Sequence, residues 1–350
     1  MVAIMASGEA LRASDLAAAR ALLRSGSRSF YLASLLLPQH MRDDATALYA
    51  FCRLADDAVD LPGDSALAIV QLQAQLDRIY SGRPAPMPVE RLLAHAVQQR
   101  IPRALLDALL EGFAWDAAGR RYQSLADLHA YAARVAGSVG AMMTLLLGVR
   151  APGVLARACD LGIAMQLTNI ARDVGQDARL GRIYLPLGWL REAGIDPESW
   201  LAKPEFTPAL AQVIERLLVA ADELYARSTS GIEHLPVFAR PGVHAARLLY
   251  AEIGHELRRQ GHDAIHRRAR VGVRRKLTLL GSALRAALAV GHDSFAAPVE
   301  AAQFLVNAAG SGLELSRRAV VPAAVARTPQ QGRVEWLIDL FERLERIGAV

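Results

Sequence analysis

Residues 49–60 read Tyr-Ala-Phe-Cys-Arg-Leu-Ala-Asp-Asp-Ala-Val-Asp, and residues 166–177 read Gln-Leu-Thr-Asn-Ile-Ala-Arg-Asp-Val-Gly-Gln-Asp. Each stretch carries two aspartates four positions apart, Asp56/Asp60 and Asp173/Asp177. On an α-helix, residues at that spacing stand about 5–6 Å from each other on one face. Tyr49 and Arg53 extend the first face by one turn each, and Gln166 and Asn169 extend the second. The flanking positions are largely Ala, Leu, Ile and Val, so each stretch predicts a helix with one polar stripe in an apolar surround. The two motifs lie 117 residues apart, like the facing halves of a helical bundle.

Outward from these motifs the signals remain helical, without convincing strand alternation. Ser14-Asp15 caps an Ala/Leu-rich segment running to Arg24, and Asp64-Ser65 opens another with Leu67, Val70, Leu72 and Leu76 at helical spacings. Ser124 and Asp127 form a capping-box pattern before a helix predicted over 128–147. Asp196-Pro197 and Thr207-Pro208 each set a capping residue before a proline at the first helical position. After Thr207, the residues Leu210, Val213, Ile214, Leu217, Leu218, Ala221, Leu224 and Tyr225 form a stripe of helical period. Breaks at 61–63, 82–88, 151–153, 181–188 and 239–242 are too short for interdomain linkers. The expectation is one large all-α domain over residues 14–290. An Ala-rich extension over 291–350 follows, with an amphipathic helix near 334–347.

The chain has 350 residues, 53% of them hydrophobic and 21% charged, which supplies a sizeable core and argues against disorder. No uncharged apolar run reaches the ~18 residues of a membrane span: 141–149 is too brief, and Arg285 interrupts 277–290. The first residues lack the basic region and apolar core of a signal peptide. Cys52 and Cys159 sit in apolar helical patterns and read as buried thiols of a reducing compartment. The net charge of +5 points to an anionic partner. Its excess is concentrated in 258–276, where Arg258, Arg259, Arg267, Arg268, Arg270, Arg274, Arg275 and Lys276 crowd together. A diphosphate or anionic lipid headgroups suit that tract. Nucleic acid does not, because neither a recognition-module signature nor interleaved aromatics accompany it.

Four carboxylates converging in a low-dielectric bundle would repel one another and take up protons unless a cation neutralised them. Magnesium fits, since it binds through one or two carboxylates together with substrate phosphates. Arg53, Arg172 and Arg182 would complement the remaining diphosphate charge. Asp57, rotated about 100° from Asp56, suits a supporting hydrogen bond or salt bridge. A metal-held diphosphate on an apolar bundle implies an allylic substrate with a hydrocarbon tail and an allylic cation, which needs a dry cavity. Phe30, Tyr31, Tyr131, Trp115 and Tyr250 could line that cavity, and each equally suits ordinary core packing.

At these residues the sequence resembles the squalene/phytoene synthase family over about residues 20–280. The resemblance rests on Ser27-Arg28-Ser29-Phe30-Tyr31, on 49–60, on 131–140, on 166–177 continuing to Pro186, and on Tyr250 with Arg267. It implies the class I isoprenoid synthase bundle, all-α with a central apolar cavity. Asp56, Asp60, Asn169, Asp173 and Asp177 would hold two or three Mg²⁺ ions, with Mn²⁺ as an alternative. Gly26, Ser27, Arg28, Ser29, Phe30, Tyr49, Arg53, Gln166, Arg172, Arg182, Tyr250 and Arg267 would meet substrate, chiefly its diphosphate. Tyr131, Val135, Val139 and Gly140 would line the prenyl channel, Gly140 letting a prenyl chain approach the backbone. The four motif aspartates, Arg53 and Tyr250 would be catalytic.

The implied reaction is head-to-head condensation of two prenyl diphosphates, giving phytoene from geranylgeranyl diphosphate without NADPH. Squalene or dehydrosqualene synthesis from farnesyl diphosphate is one alternative, and a class I terpene cyclase another. The implied location is the cytoplasm, peripherally on the inner face of the membrane. Three positions depart from the family pattern: Gly26 replaces a frequent histidine, Gln176 an acid, and His262 a tyrosine.

Overall fold

The capping signals of the second half of the chain act as the sequence predicts. Ser124 Oγ accepts from Asp127 N at 3.2 Å, and Asp127 returns a carboxylate to Ser124 N at 3.0 Å. Asp196 Oδ1 accepts from Ser199 N at 2.9 Å, and Thr207 Oγ1 from Leu210 N at 3.1 Å. Each satisfies a backbone donor that a helix start would otherwise leave unpaired. The computed structural model describes residues 2–60, 65–97, 100–288 and 296–311, without the side chains of 2–10, 28, 29, 40, 60 and 311. The helix expected near 334–347 lies outside the described residues.

All regular elements among the described residues are helical. In chain order they are α1 (Val2–Gly26), α2 (Arg28–Ser34), α3 (Gln39–Asp60), α4 (Ser65–Tyr80), α5 (Pro88–Val97), α6 (Arg103–Ala117) and α7 (Leu125–Ala132). A π-helical turn, Ala133–Gly137, leads into α8 (Ser138–Leu146). Then come α9 (Pro152–Arg179), α10 (Leu187–Glu192), α11 (Pro197–Ala202), α12 (Pro208–Ile232), α13 (Arg240–Arg259) and α14 (Val273–Ala286). A 3₁₀ turn, Glu300–Ala302, precedes α15 (Gln303–Ser311). The central element is α9, packed by α12, α8, α13, α7 and α15. The whole predicted stripe of α12, from Leu210 to Tyr225, is buried. α15, in the expected C-terminal extension, packs on α6, α8 and α9, and its Leu305 is fully buried; the bundle therefore continues past residue 290.

Three local expectations change. α1 runs unbroken through Ser14-Asp15, because buried Asp15 takes a bidentate bond from Arg91 at 2.7–2.8 Å instead of capping a helix. In α4, Leu67 and Val70 are exposed while Leu72, Leu76 and Ile79 are buried, so its inward face is shifted along the helix. The single helix expected over 128–147 is divided by the π turn.

Close backbone approach fixes α8 against α9. A Cβ on Gly140 would lie 2.2 Å from Ala158 O, and one on Gly162 would lie 2.2 Å from Ala136 O. Only residues without a side chain permit that packing. Arg42 fixes α2 on the opposite side, donating to the carbonyls of Ser34, Leu35 and Leu37 at 2.9–3.1 Å.

Candidate active site

Between α2, α3, α8, α9, α12 and α13 lies a cavity of about 290 Å³. Its walls are mostly aliphatic. Val135, Val139, Gly140 and Phe30 line it. Tyr49, Gln166, Asn169 and Tyr250 gather polar groups along the same cavity. Phe30 stacks on Tyr49 with centroids 5.6 Å apart, and Tyr250 shares a hydrogen bond with Ser27, the N-cap of α2, at 3.2 Å. A side chain on Gly26 would begin 2.3 Å from the Tyr49 hydroxyl, which explains why glycine stands there. Burial, foremost, and the neighbouring Tyr250 push the Tyr49 hydroxyl up to about 12, so it stays protonated and able to donate.

The first acidic motif occupies the end of α3. Arg53 pairs with Asp56 at 3.3 Å and forks onto Asp57, giving Asp57 the supporting contact expected of it. The Asp60 backbone closes α3, and its side chain lies outside the described residues, as do those of Arg28 and Ser29. The second motif splits between two environments. Asp173 is gripped by Arg172 at 2.5–2.9 Å and by Arg268 at 2.8–3.1 Å. Burial alone would raise its pKa, but the bonds from these two arginines outweigh it and hold the carboxyl below its usual range. Asp177, one turn on, is pushed up to about 7, first by burial and then by Asp173, with Arg182 opposing.

Tyr131 stands outside the cavity lining. Its hydroxyl donates to Asp116 at 2.7 Å, beside a second bond from Tyr184 at 2.8 Å, and the Tyr131 and Tyr184 rings stack at 5.3 Å. Arg267 is exposed, and its neighbour Arg268 is the one on Asp173. The basic tract signalled Arg268, but periodicity could not select it, because it lies in a loop. Asp116 had no sequence signal beyond being a charge in an apolar helix. Besides Arg268, Arg258 of the tract pairs with Glu215 and Asp222, and Arg259 and Arg275 pair with Glu252. Both cysteines are free, Cys159 buried.

The residues present fit magnesium. Among the described residues no three His, Cys, Asp or Glu side chains form a closed cage. Asn169 Oδ1 is buried without a hydrogen-bond partner, next to the cavity and one turn before Asp173. Such an orphaned oxygen costs stability unless a cation or donor meets it. The Asp177 carboxyl is raised by burial ahead of Asp173, and a bound cation would favour its ionised form.

An all-helical bundle with an apolar cavity beside two acidic helix faces defines an isoprenoid synthase of the class I fold. The chain belongs to the squalene/phytoene synthase family, whose signature matches residues 23–275. It is 49% identical to a phytoene synthase of Cereibacter sphaeroides, covering 96% of this chain and 95% of that protein. It is 52% identical to the phytoene synthase of Rhodobacter capsulatus over 79% of this chain and 82% of that one. A crystal structure of a ligand-bound dehydrosqualene synthase superposes with a TM-score of 0.71 at 32% identity, covering 78% of this chain and 96% of the other.

Proposed function

We propose that this protein is a Mg²⁺-dependent prenyltransferase that joins two geranylgeranyl diphosphates head to head (1′-1), releasing phytoene and two diphosphates in the first committed step of carotenoid biosynthesis. The observation that carries this reading is one cavity whose apolar body continues into Gln166 and Asn169, with Asp173 and its two arginines one turn further along α9. Names of the relatives at 49% and 52% identity support the same choice of product.

The chemistry balances without an external electron donor. The C1–O bond of one substrate breaks, its electron pair leaving on the diphosphate. The C2=C3 π bond of the second substrate attacks that carbon, and loss of a proton closes a cyclopropylcarbinyl diphosphate. The second diphosphate leaves in the same way, the ring opens with rearrangement, and loss of another proton sets a conjugated triene. Squalene would instead require a hydride.

Asp56, Asp60, Asn169, Asp173 and Asp177 would hold magnesium, which when bound withdraws charge from the departing diphosphate. Arg53, Arg172, Arg182 and Arg268 bind and orient the diphosphates, exchanging carboxylate partners for phosphate oxygens. Tyr49 and Tyr250 donate hydrogen bonds, and Val135, Val139 and Phe30 keep water from the cation.

No helix among the described residues is long and apolar enough to cross a membrane. Peripheral contact with an anionic bilayer is supported by α14, where exposed Val273 and Leu277 stand beside exposed Arg274 and Arg285. Purified protein, Mg²⁺ and geranylgeranyl or farnesyl diphosphate, with and without NADPH, test the reaction. A C40 triene made without NADPH is expected. A cyclic C15 or C20 product, or a C30 product that requires NADPH, overturns the reading.

A further inference from the structure

Of the α9 residues that line the cavity, Val154 and Arg157 lie furthest from Asn169. Among the cavity's aliphatic lining stands Arg157, a residue only 2% exposed, in the company of Leu147, Val154, Ile232 and Leu235. Its guanidinium is pinned on three sides. Nη1 donates to Ala296 O at 2.9 Å, Nη2 to Ala297 O at 3.2 Å, and Nη2 pairs with the fully buried Asp160 at 2.9 Å. Arg227 of α12 braces the assembly, donating to the same Asp160 oxygen at 2.9 Å and to Ala297 O at 2.6 Å. Gly231 lets α12 close over it, since a Cβ there would begin 2.3 Å from Arg157 Cβ. An aliphatic floor could yield by changing rotamer. A guanidinium held by one carboxylate and two carbonyls cannot move without stranding a buried charge.

We infer that the Arg157–Asp160 pair is the floor of the prenyl channel and sets the substrate's chain length. The inference rests on the head-to-head reading above. α9 is its own ruler: Asn169, beside the metal-binding aspartates, and Arg157 are twelve residues apart on one helix, about 18 Å at ~1.5 Å per residue. With C–C bonds of about 1.5 Å, an extended geranylgeranyl chain spans roughly 19 Å and a farnesyl chain roughly 14 Å. The level of Arg157 matches the longer tail, with Val154 one turn further along α9 behind it. Ala158, which also lines it, lies eleven residues from Asn169, about 16 Å down, between the two chain ends.

The test is a set of kcat/KM ratios for C15, C20 and C25 prenyl diphosphates with Mg²⁺. Arg157→Ala removes the floor and should raise the C25-to-C20 ratio at least about tenfold, the scale on which apolar pockets discriminate neighbouring lengths. Arg157→Met, nearly isosteric, unpins it and should move the ratio the same way. Ala158→Leu raises the floor and should lower the C20-to-C15 ratio about tenfold. Arg227→Gln keeps the Arg157–Asp160 pair while removing one brace on Asp160 and Ala297, and should move the ratios far less than Arg157→Ala. Normal C20 coupling with ratios unmoved by all three cavity variants overturns the ruler alone. Arg227→Gln reproducing the Arg157→Ala shift also overturns it, because the arginines then act only as a latch. Wild-type protein that couples no chain length overturns the head-to-head reading and the ruler together.

Discussion

Arg268 reaches across 95 residues of sequence to hold both oxygens of Asp173, Nε on Oδ1 at 2.8 Å and Nη2 on Oδ2 at 3.1 Å. The loop that carries it is seated on α9 at Gly175, whose N–H donates to Ala264 O at 3.1 Å. The glycine inside the second acidic motif therefore admits the loop that completes the motif's charge.

Arg268→Gln is expected to raise KM for the prenyl diphosphate by about 10-fold or more, the scale of one charge-assisted hydrogen bond. Gly175→Ala should act in the same direction, because its Cβ would begin 2.6–2.9 Å from the backbone of Ala264 and Ile265 and lift the loop. Steady-state kinetics check both. An unchanged KM in Arg268→Gln would remove that residue from the diphosphate site.

Asn169→Leu separates a ligand role from a packing role. Removing a buried acceptor that has no partner should leave thermal stability equal or higher. The Mg²⁺ concentration needed for half-maximal product formation should rise roughly 10–100-fold if Asn169 is a ligand. A melting scan and a magnesium titration read the two effects separately.

Gly162→Ala should destabilise the fold by about 1–3 kcal/mol, the usual cost of overpacking. The new methyl would lie 2.2 Å from Ala136 O and 2.6 Å from its carbonyl carbon, both rigid backbone, so α9 and the π turn must part. Denaturant titration gives the magnitude.

Two buried groups contribute to the acid limb of stability. His244 is 1% exposed with neither ring nitrogen hydrogen-bonded, and burial, then Arg247 and Arg240, push it down from 6.5 to about 4. The unfolded chain takes the proton first, so stability falls by about 3 kcal/mol as pH drops from about 6.5 to about 4. Burial of Glu252 opposes its ionisation, but the bonds from Arg275, Arg259 and His255 prevail and hold it down to about 2. Its contribution is whole above about 4.5 and disappears as pH falls toward 2. Denaturation curves at stepped pH should show both segments. His244→Leu should flatten the upper one, and Glu252→Gln the lower.

Much of this was legible along the chain. The caps at Ser124, Asp196 and Thr207, the buried stripe of α12 and the polar faces of α3 and α9 are local properties, set by hydrogen-bonding chemistry and by side-chain period. Period identifies a face but not what lies opposite it. Tyr131 keeps helical spacing with Val135, yet its hydroxyl meets Asp116, which no pattern links to it. Arg267 and Arg268 are equivalent in composition, and only the loop resting on Gly175 decides which one meets Asp173.

The sequence by itself determined an all-α bundle, its two acidic faces and a diphosphate chemistry, because helix propensity, capping and charge spacing act within a few turns. The tertiary structure decided where the cavity ends and which arginines hold its charges. Those contacts join α9 to residues 67 to 140 positions away, and only folding brings such partners within hydrogen-bonding distance.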